Sequence, residues 1–164
     1  MQKLFLLFLV IFACSCSSTK VSVKNNLPAK GKKIGIGGIT LSAERRKSNT
    51  DTVCICTAQS VEQALIPYLQ EVGFTVIKLP VNDRRNSREI MRIADSAKVD
   101  YILTGIGRVS IIGKKKDTFM EQLTIQLQEM NTGEIVSSAS FSGTSIRPVK
   151  AAGKIGEELV KKMK

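Results

Sequence analysis

Between Phe119 and Met130 the side chains alternate. Leu123, Ile125 and Leu127 fall on one side of an extended chain, and Gln122, Thr124, Gln126 and Gln128 fall on the other. A period of two sustained over this length is a strand with one face buried and one face turned to water. Asn131-Thr132-Gly133 then supplies a hairpin turn. Glu134 to Thr144 returns with Ile135, Ala139 and Phe141 opposite a serine-rich face. This half of the chain is therefore committed to an antiparallel sheet with one apolar side, which other elements must cover.

The preceding residues supply those elements. Lys33 to Leu41 (KIGIGGITL) reads as a buried first strand whose glycines admit neighbouring backbone. Ser42 to Thr57 reads as a loop, and a helix follows from a Ser60/Gln63 capping box. Val61, Leu65, Leu69 and Val72 share one of its faces, Pro67 should bend it or start it late, and Gly73 stops it. Phe74 to Leu79 is a second strand, and Asn86 with Glu89 opens a second helix that faces Ile90, Ile93, Ala94 and Ala97 inward. Asp100 stands at the entrance to a third strand, Tyr101 to Ile112, which turns at Lys114-Lys115-Lys116-Asp117. After Arg147-Pro148, Ile155, Leu159 and Met163 mark a last helix. The fold class expected is α/β: a mixed five-stranded sheet in the order 2-1-3-4-5, strand 4 antiparallel, with about three helices packed on it.

The amino terminus has a different character. One positive charge, Lys3, precedes an apolar run from Leu4 to Phe12. At about nine residues it is too short for a membrane span of roughly 20 and fits the core of a secretory signal. Small residues and two cysteines follow it, and Ile11-Phe12-Ala13-Cys14 resembles a bacterial lipobox, with Ala13-Cys14-Ser15-Cys16 as the other register. The expected organisation is a lipoprotein signal peptide over residues 1–13, a lipidated cysteine with a flexible tether over 14–32, and a single α/β domain over 33–164. The lipidated residue is Cys14, with Cys16 as the alternative. A serine follows the cysteine in either register, and the lack of aspartate there resembles outer-membrane sorting. A lipid anchor at the outer membrane, facing the periplasm, is the localisation this predicts. The tether is polar and without apolar periodicity, and stretched at about 3.5 Å per residue it reaches on the order of 60 Å.

Composition removes several chemistries. The chain has no histidine and therefore no histidine-based triad. Cys54 and Cys56 are separated by one residue, too close for an unstrained bridge and too few for a metal site, and read as small residues in an extended loop or edge segment. Gly35-Ile36-Gly37-Gly38 departs from the dinucleotide fingerprint, because Thr40 occupies the third glycine position. Asp100, Glu121, Glu129, Glu157 and Glu158 form no acid–base pair by their placement. No catalytic residue, cofactor or metal is expected.

The net charge of +11 points to anionic neighbours, and export argues against nucleic acid as the neighbour. Three basic clusters follow the first three strands: Arg45-Arg46-Lys47, Arg84-Arg85 with Arg88, and Lys114-Lys115-Lys116. In a parallel arrangement all three emerge at the carboxyl-end edge, where open α/β sheets bind ligands. They form a candidate rim for an anionic partner, although basic loops are also ordinary solvated surface.

The glycine-rich first strand, Val99-Asp100-Tyr101-Ile102-Leu103-Thr104-Gly105 and the Asn131-Thr132-Gly133-Glu134 hairpin together resemble a recurrent periplasmic lipoprotein domain. It is the domain of the curli-secretion lipoprotein CsgG, the penicillin-binding-protein activator LpoB and the amino-terminal part of TolB, and the resemblance runs from Lys32 to Lys164. It implies an envelope scaffold or accessory protein and not an enzyme. The CsgG pattern is not matched where a pore needs strands of about 9–11 residues to cross a membrane. The Ser42–Thr57 loop begins charged, and the Ile106–Ile125 hairpin carries Arg108 and a polar tip. The function expected is a lipid-anchored binding or accessory module that recruits or regulates another envelope component, either a protein or an anionic polymer. The alternative is a subunit of an oligomeric secretion or assembly complex.

Overall fold

The computed structural model describes residues 18–23, 30–43, 50–82, 84–112 and 117–164. Its elements, in chain order, are β1 (Ser18–Val23), β2 (Lys33–Ala43), α1 (Thr50–Glu71), β3 (Thr75–Lys78), α2 (Ser87–Ser96), β4 (Tyr101–Ile112), β5 (Asp117–Glu129), β6 (Ile135–Ile146) and α3 (Pro148–Met163). The strands form one mixed sheet in the order β1-β6-β5-β4-β2-β3. β2 runs parallel to β3 and β4, β5 is antiparallel to β4 and β6, and β1 is antiparallel to β6. The class is as expected and the strand count is not. Ser18–Val23, placed within the tether by sequence, adds a sixth strand by pairing Ser18 with Ser142 through to Val23 with Ser137.

Two apolar layers explain why β2 is buried throughout Ile34 to Ile39. On one face α1 and α3 close over Ile34, Ile36, Leu103, Ile125 and Phe141 with Leu65 and Ile155. On the other, the short α2 closes a smaller cluster of Leu79, Ile90, Ala94, Val99 and Ile102. A strand buried on both faces lacks clean alternation. β5 is covered on one face alone and keeps it, with Leu123, Ile125 and Leu127 buried.

One bulge sets the phase of β2. The register with β4 shifts between Ile36 and Gly38, so Gly37 is the extra residue. Its φ of +158° and a Cβ position only 2.9 Å from the Leu79 carbonyl oxygen both call for glycine. The added residue turns Ile39 and Leu41 to the same core as Ile34 and Ile36. It thereby sends Gly38 and Thr40 to the opposite face.

Helix α1 begins ten residues earlier than the capping box implied. Cys54, Ala58, Val61, Leu65 and Leu69 are buried at spacings of four, three, four and four, so the apolar stripe extends upstream of Ser60. Ser60 is interior to the helix, and its hydroxyl donates to the Cys56 carbonyl at 3.0 Å. Cys54 and Cys56 are therefore helical, the first buried and the second exposed, and neither is bridged. Pro67 lies on the exposed side and the helix runs on to Glu71. Where α1 meets α3, a Cβ on Gly156 would lie 2.2 Å from the Tyr68 ring, so glycine lets the two helices close. A second bulge between Leu127 and Gln128 displaces Val136 into the core and leaves Ile135, expected inside, 49% exposed.

Asp100 joins three segments. Its carboxylate accepts from the Lys33 backbone N–H at 2.7 Å and from Lys32 Nζ at 3.2 Å, and its carbonyl accepts from Met130 N at 2.9 Å. The Lys33 N–H holds the carboxyl below its ordinary value, and the Lys32 charge adds to this. A carboxylate whose pKa falls on folding stabilises the folded state above the unfolded pKa. That contribution is lost as pH falls through the folded one. Asp100→Asn should therefore be less stable than the parent in urea at neutral pH. The gap should close below about pH 4; a gap that persists in acid assigns the effect to packing instead of charge.

Candidate functional site

β3 has only four residues, and its pairing with β2 ends at Ile36 opposite Lys78. From there to Ala43, the outer edge of β2 has no strand beside it among the described residues. Such an edge needs other partners. Ile39 finds them in two side chains: its N–H donates to Glu62 Oε1 at 3.1 Å, and its carbonyl accepts from Arg84 Nη1 at 3.2 Å. Arg84 Nη1 also pairs with Glu62 Oε1 in a close ion pair. The Thr40 hydroxyl donates to the Arg84 carbonyl at 2.7 Å, which fixes the turn leading into α2.

This ion pair is interior: Glu62 is 2% exposed and the Arg84 side chain 10%. A buried pair gains little net energy once desolvation is counted, but either charge left alone is costly. Glu62 Oε2 is buried with no hydrogen-bond partner among the described residues. The arrangement is thus a clamp on the β2 edge, built from α1 and the connection after β3. Sequence reading assigned Arg84 to an outward rim, and its guanidinium instead turns inward, because the unpaired edge of β2 needs a donor. Glu62 was not singled out at all. Its only signal is a lone carboxylate within the stripe of Ala58, Val61, Leu65 and Leu69.

A groove opens on each side of the clamp. The first, of about 390 Å³, runs along the edge of β2 at Ile39, Thr40 and Leu41, between Cys54, Ile55, Ala58 and Gln59 of α1 and, after β3, Val81, Asn82, Arg84 and Arg85. The second, of about 530 Å³, lies on the α2 side of the sheet, floored by Gly38, Thr40, Thr104, Ile106, Thr124, Gln126 and Gln128 and walled by Ser87, Ile90 and Met91. Arg85 lines both and is exposed, as is Arg88 in the first turn of α2. Among the described residues no Asp or Glu lines either groove. Of the expected rim, Arg85 and Arg88 face solvent at the carboxyl end of β3. Arg45, Arg46, Lys47, Lys114, Lys115 and Lys116 lie outside the described residues, as do Cys14 and Cys16.

Past the second groove the sheet face lies open. Along β4 the side chains that point this way grade from Ile102, buried under α2, to Ile106, which is 72% exposed. Arg108 follows, held by Glu121 at 3.4 Å and Gln122 at 3.2 Å. Among the described residues no group of three or more Cys, Asp and Glu side chains converges as metal ligands do, and no helix is long and apolar enough to cross a membrane.

No family model and no curated protein matches the sequence. Solved structures do match. The chain is similar to a PelC dodecamer subunit from Paraburkholderia phytofirmans at 17% identity and a TM-score of 0.56, over 88% of this chain and 96% of that one. It is similar to a DUF4136 family protein from Bacteroides thetaiotaomicron at 8% identity and a TM-score of 0.52, over 87% and 95%. What these two share with it is the fold. The LpoB C-terminal domain from Salmonella enterica aligns more loosely, at 18% identity and a TM-score of 0.36 over 71% and 84%.

Proposed function

We propose that the chain is a non-enzymatic, lipid-anchored accessory module of the bacterial envelope. Its domain docks an acidic envelope component at the carboxyl-end edge of the sheet. The observation that carries this reading is the pair of grooves meeting at the β3–α2 connection, with the exposed Arg85 on both and, among the described residues, no carboxylate in either lining. The amino-terminal cysteine, Cys14 or in the other register Cys16, holds the domain at the outer membrane. Tethering raises the effective concentration of a weak contact, so a modest docking affinity suffices.

The test is mild detergent extraction after gentle crosslinking, with palmitate labelling of Cys14→Ala and Cys16→Ala in parallel. The reading expects label to be lost in Cys14→Ala and the chain to crosslink to one other envelope protein. That adduct should fall severalfold in an Arg85→Glu/Arg88→Glu variant, and an unchanged adduct removes the basic edge from the docking site.

A second reading, a subunit of an oligomeric assembly, draws support from the PelC likeness, because that neighbour is a dodecamer. A crosslinked mass that is a multiple of this chain alone would favour it.

A further inference from the structure

The edge of β2 beyond β3 is a strand-docking site, and we propose that it takes an extended segment of the partner in which apolar and acidic residues alternate. The proposal rests on the docking reading above and specifies its geometry. Past the Gly37 bulge the backbone groups of β2 alternate in direction, and those of Ile39 turn outward to Glu62 and Arg84. The same period of two turns the N–H and C=O of Leu41, two residues on, toward the side that β3 has vacated. The clamp satisfies the first outward pair and leaves the second beside the groove.

An added strand there has one row of side chains facing the α1 layer and one facing the α2 layer. The α1 layer presents Ile55, 48% exposed, and Ala58, which suits apolar side chains. The α2 side presents Arg85, which also lines the second groove, with Arg88 exposed in the first turn of α2, which suits carboxylates. Strand addition draws affinity from main-chain hydrogen bonds and specificity from alternate side chains. A second copy of this chain is the poorer occupant. It would bring two sets of Arg85 and Arg88 to one edge between molecules that each carry +11.

The probe is an octapeptide alternating glutamate and valine, titrated against the full chain by fluorescence anisotropy. Three controls accompany it: a lysine–valine octapeptide, and the Glu–Val peptide N-methylated along either edge. The acidic peptide should bind and the lysine peptide should not. N-methylation of the edge that meets β2 should weaken binding about tenfold or more, the scale of one or two lost hydrogen bonds. Hydrogen exchange at the Leu41 amide should slow at saturation. Ile55→Lys and Arg85→Glu, both at exposed positions, should each reduce affinity severalfold while the circular dichroism stays unchanged.

Absence of binding overturns the strand proposal, as does equal binding of both N-methylated peptides or a Leu41 amide that exchanges unaltered at saturation. If one of these occurs while the envelope crosslink still depends on Arg85 and Arg88, the docking reading stands without its strand geometry. If the crosslink is also indifferent to them, both fall.

Discussion

Arg84→Met should cost about 3–5 kcal/mol of folding stability, the scale for leaving one member of a buried ion pair unpaired. Against a typical domain total of 5–15 kcal/mol, that is a large share. The substitution removes the one charge that Glu62 meets among the described residues, and also the donor to the Ile39 carbonyl. The double variant Glu62→Met/Arg84→Met separates these two losses. If charge compensation were all that mattered, two well-packed apolar side chains would restore parental stability or exceed it. The clamp also serves the N–H and C=O of Ile39, however, and each buried backbone group left without a partner costs about 1–3 kcal/mol. The double variant should therefore recover only part of the loss and remain roughly 2 kcal/mol below the parent. Urea unfolding followed by circular dichroism measures all three proteins. A single variant within about 1 kcal/mol of the parent, the range of exposed pairs, would mean that water reaches the pair.

The second large effect is expected at Phe141. Between Val136 at its start and the half-buried Ile146 at its end, the core face of β6 is otherwise built from small residues: Ser137 and Ala139 precede Phe141, and the opposite face carries Ser138, Ser140 and Ser142. Phe141 is thus the main apolar anchor of β6 beneath α3, and it pairs with Leu123 on β5 and Thr19 on β1. Phe141→Ala should cost about 3–5 kcal/mol, transfer and cavity terms together. The loss should be concentrated at one side of the sheet. Amide exchange in β1 and β6 should accelerate far more than in β2 and β4, whose core contacts lie with Leu65 and Leu103. Uniform acceleration across the sheet would show instead that the domain opens as a single unit.

How far the sequence could be read follows from the range of each signal. Period-two alternation in β5 and the Asn86–Glu89 cap are local, and both appear where the sequence placed them, with Asn86 Oδ1 accepting from Glu89 N at 3.2 Å. The start of α1 was missed because Ser60 and Gln63 imitate a cap, while the apolar stripe reaching back to Cys54 is a weaker signal. Strand β1 was missed for the opposite reason. Ser18–Val23 is a six-residue edge strand, and its alternation of Thr19, Val21 and Val23 with Ser18, Lys20 and Ser22 is too short and too polar to stand out until β6 supplies the ladder.

The amino-acid sequence by itself determined the order of the main helices and strands, the α/β class and the half-buried sheet. It also determined the absence of histidine and the strongly basic charge. These follow from side-chain spacing and composition, which need no knowledge of what lies opposite. Only the tertiary structure decided the rest: the bulge at Gly37 that rephases β2, the short β3 that leaves the far edge of β2 without a strand partner among the described residues, and the inward turn of Arg84 to meet Glu62. Each of these depends on which backbone groups lack a partner once the strands are in register, and residues 22 apart in the chain meet at the clamp for that reason.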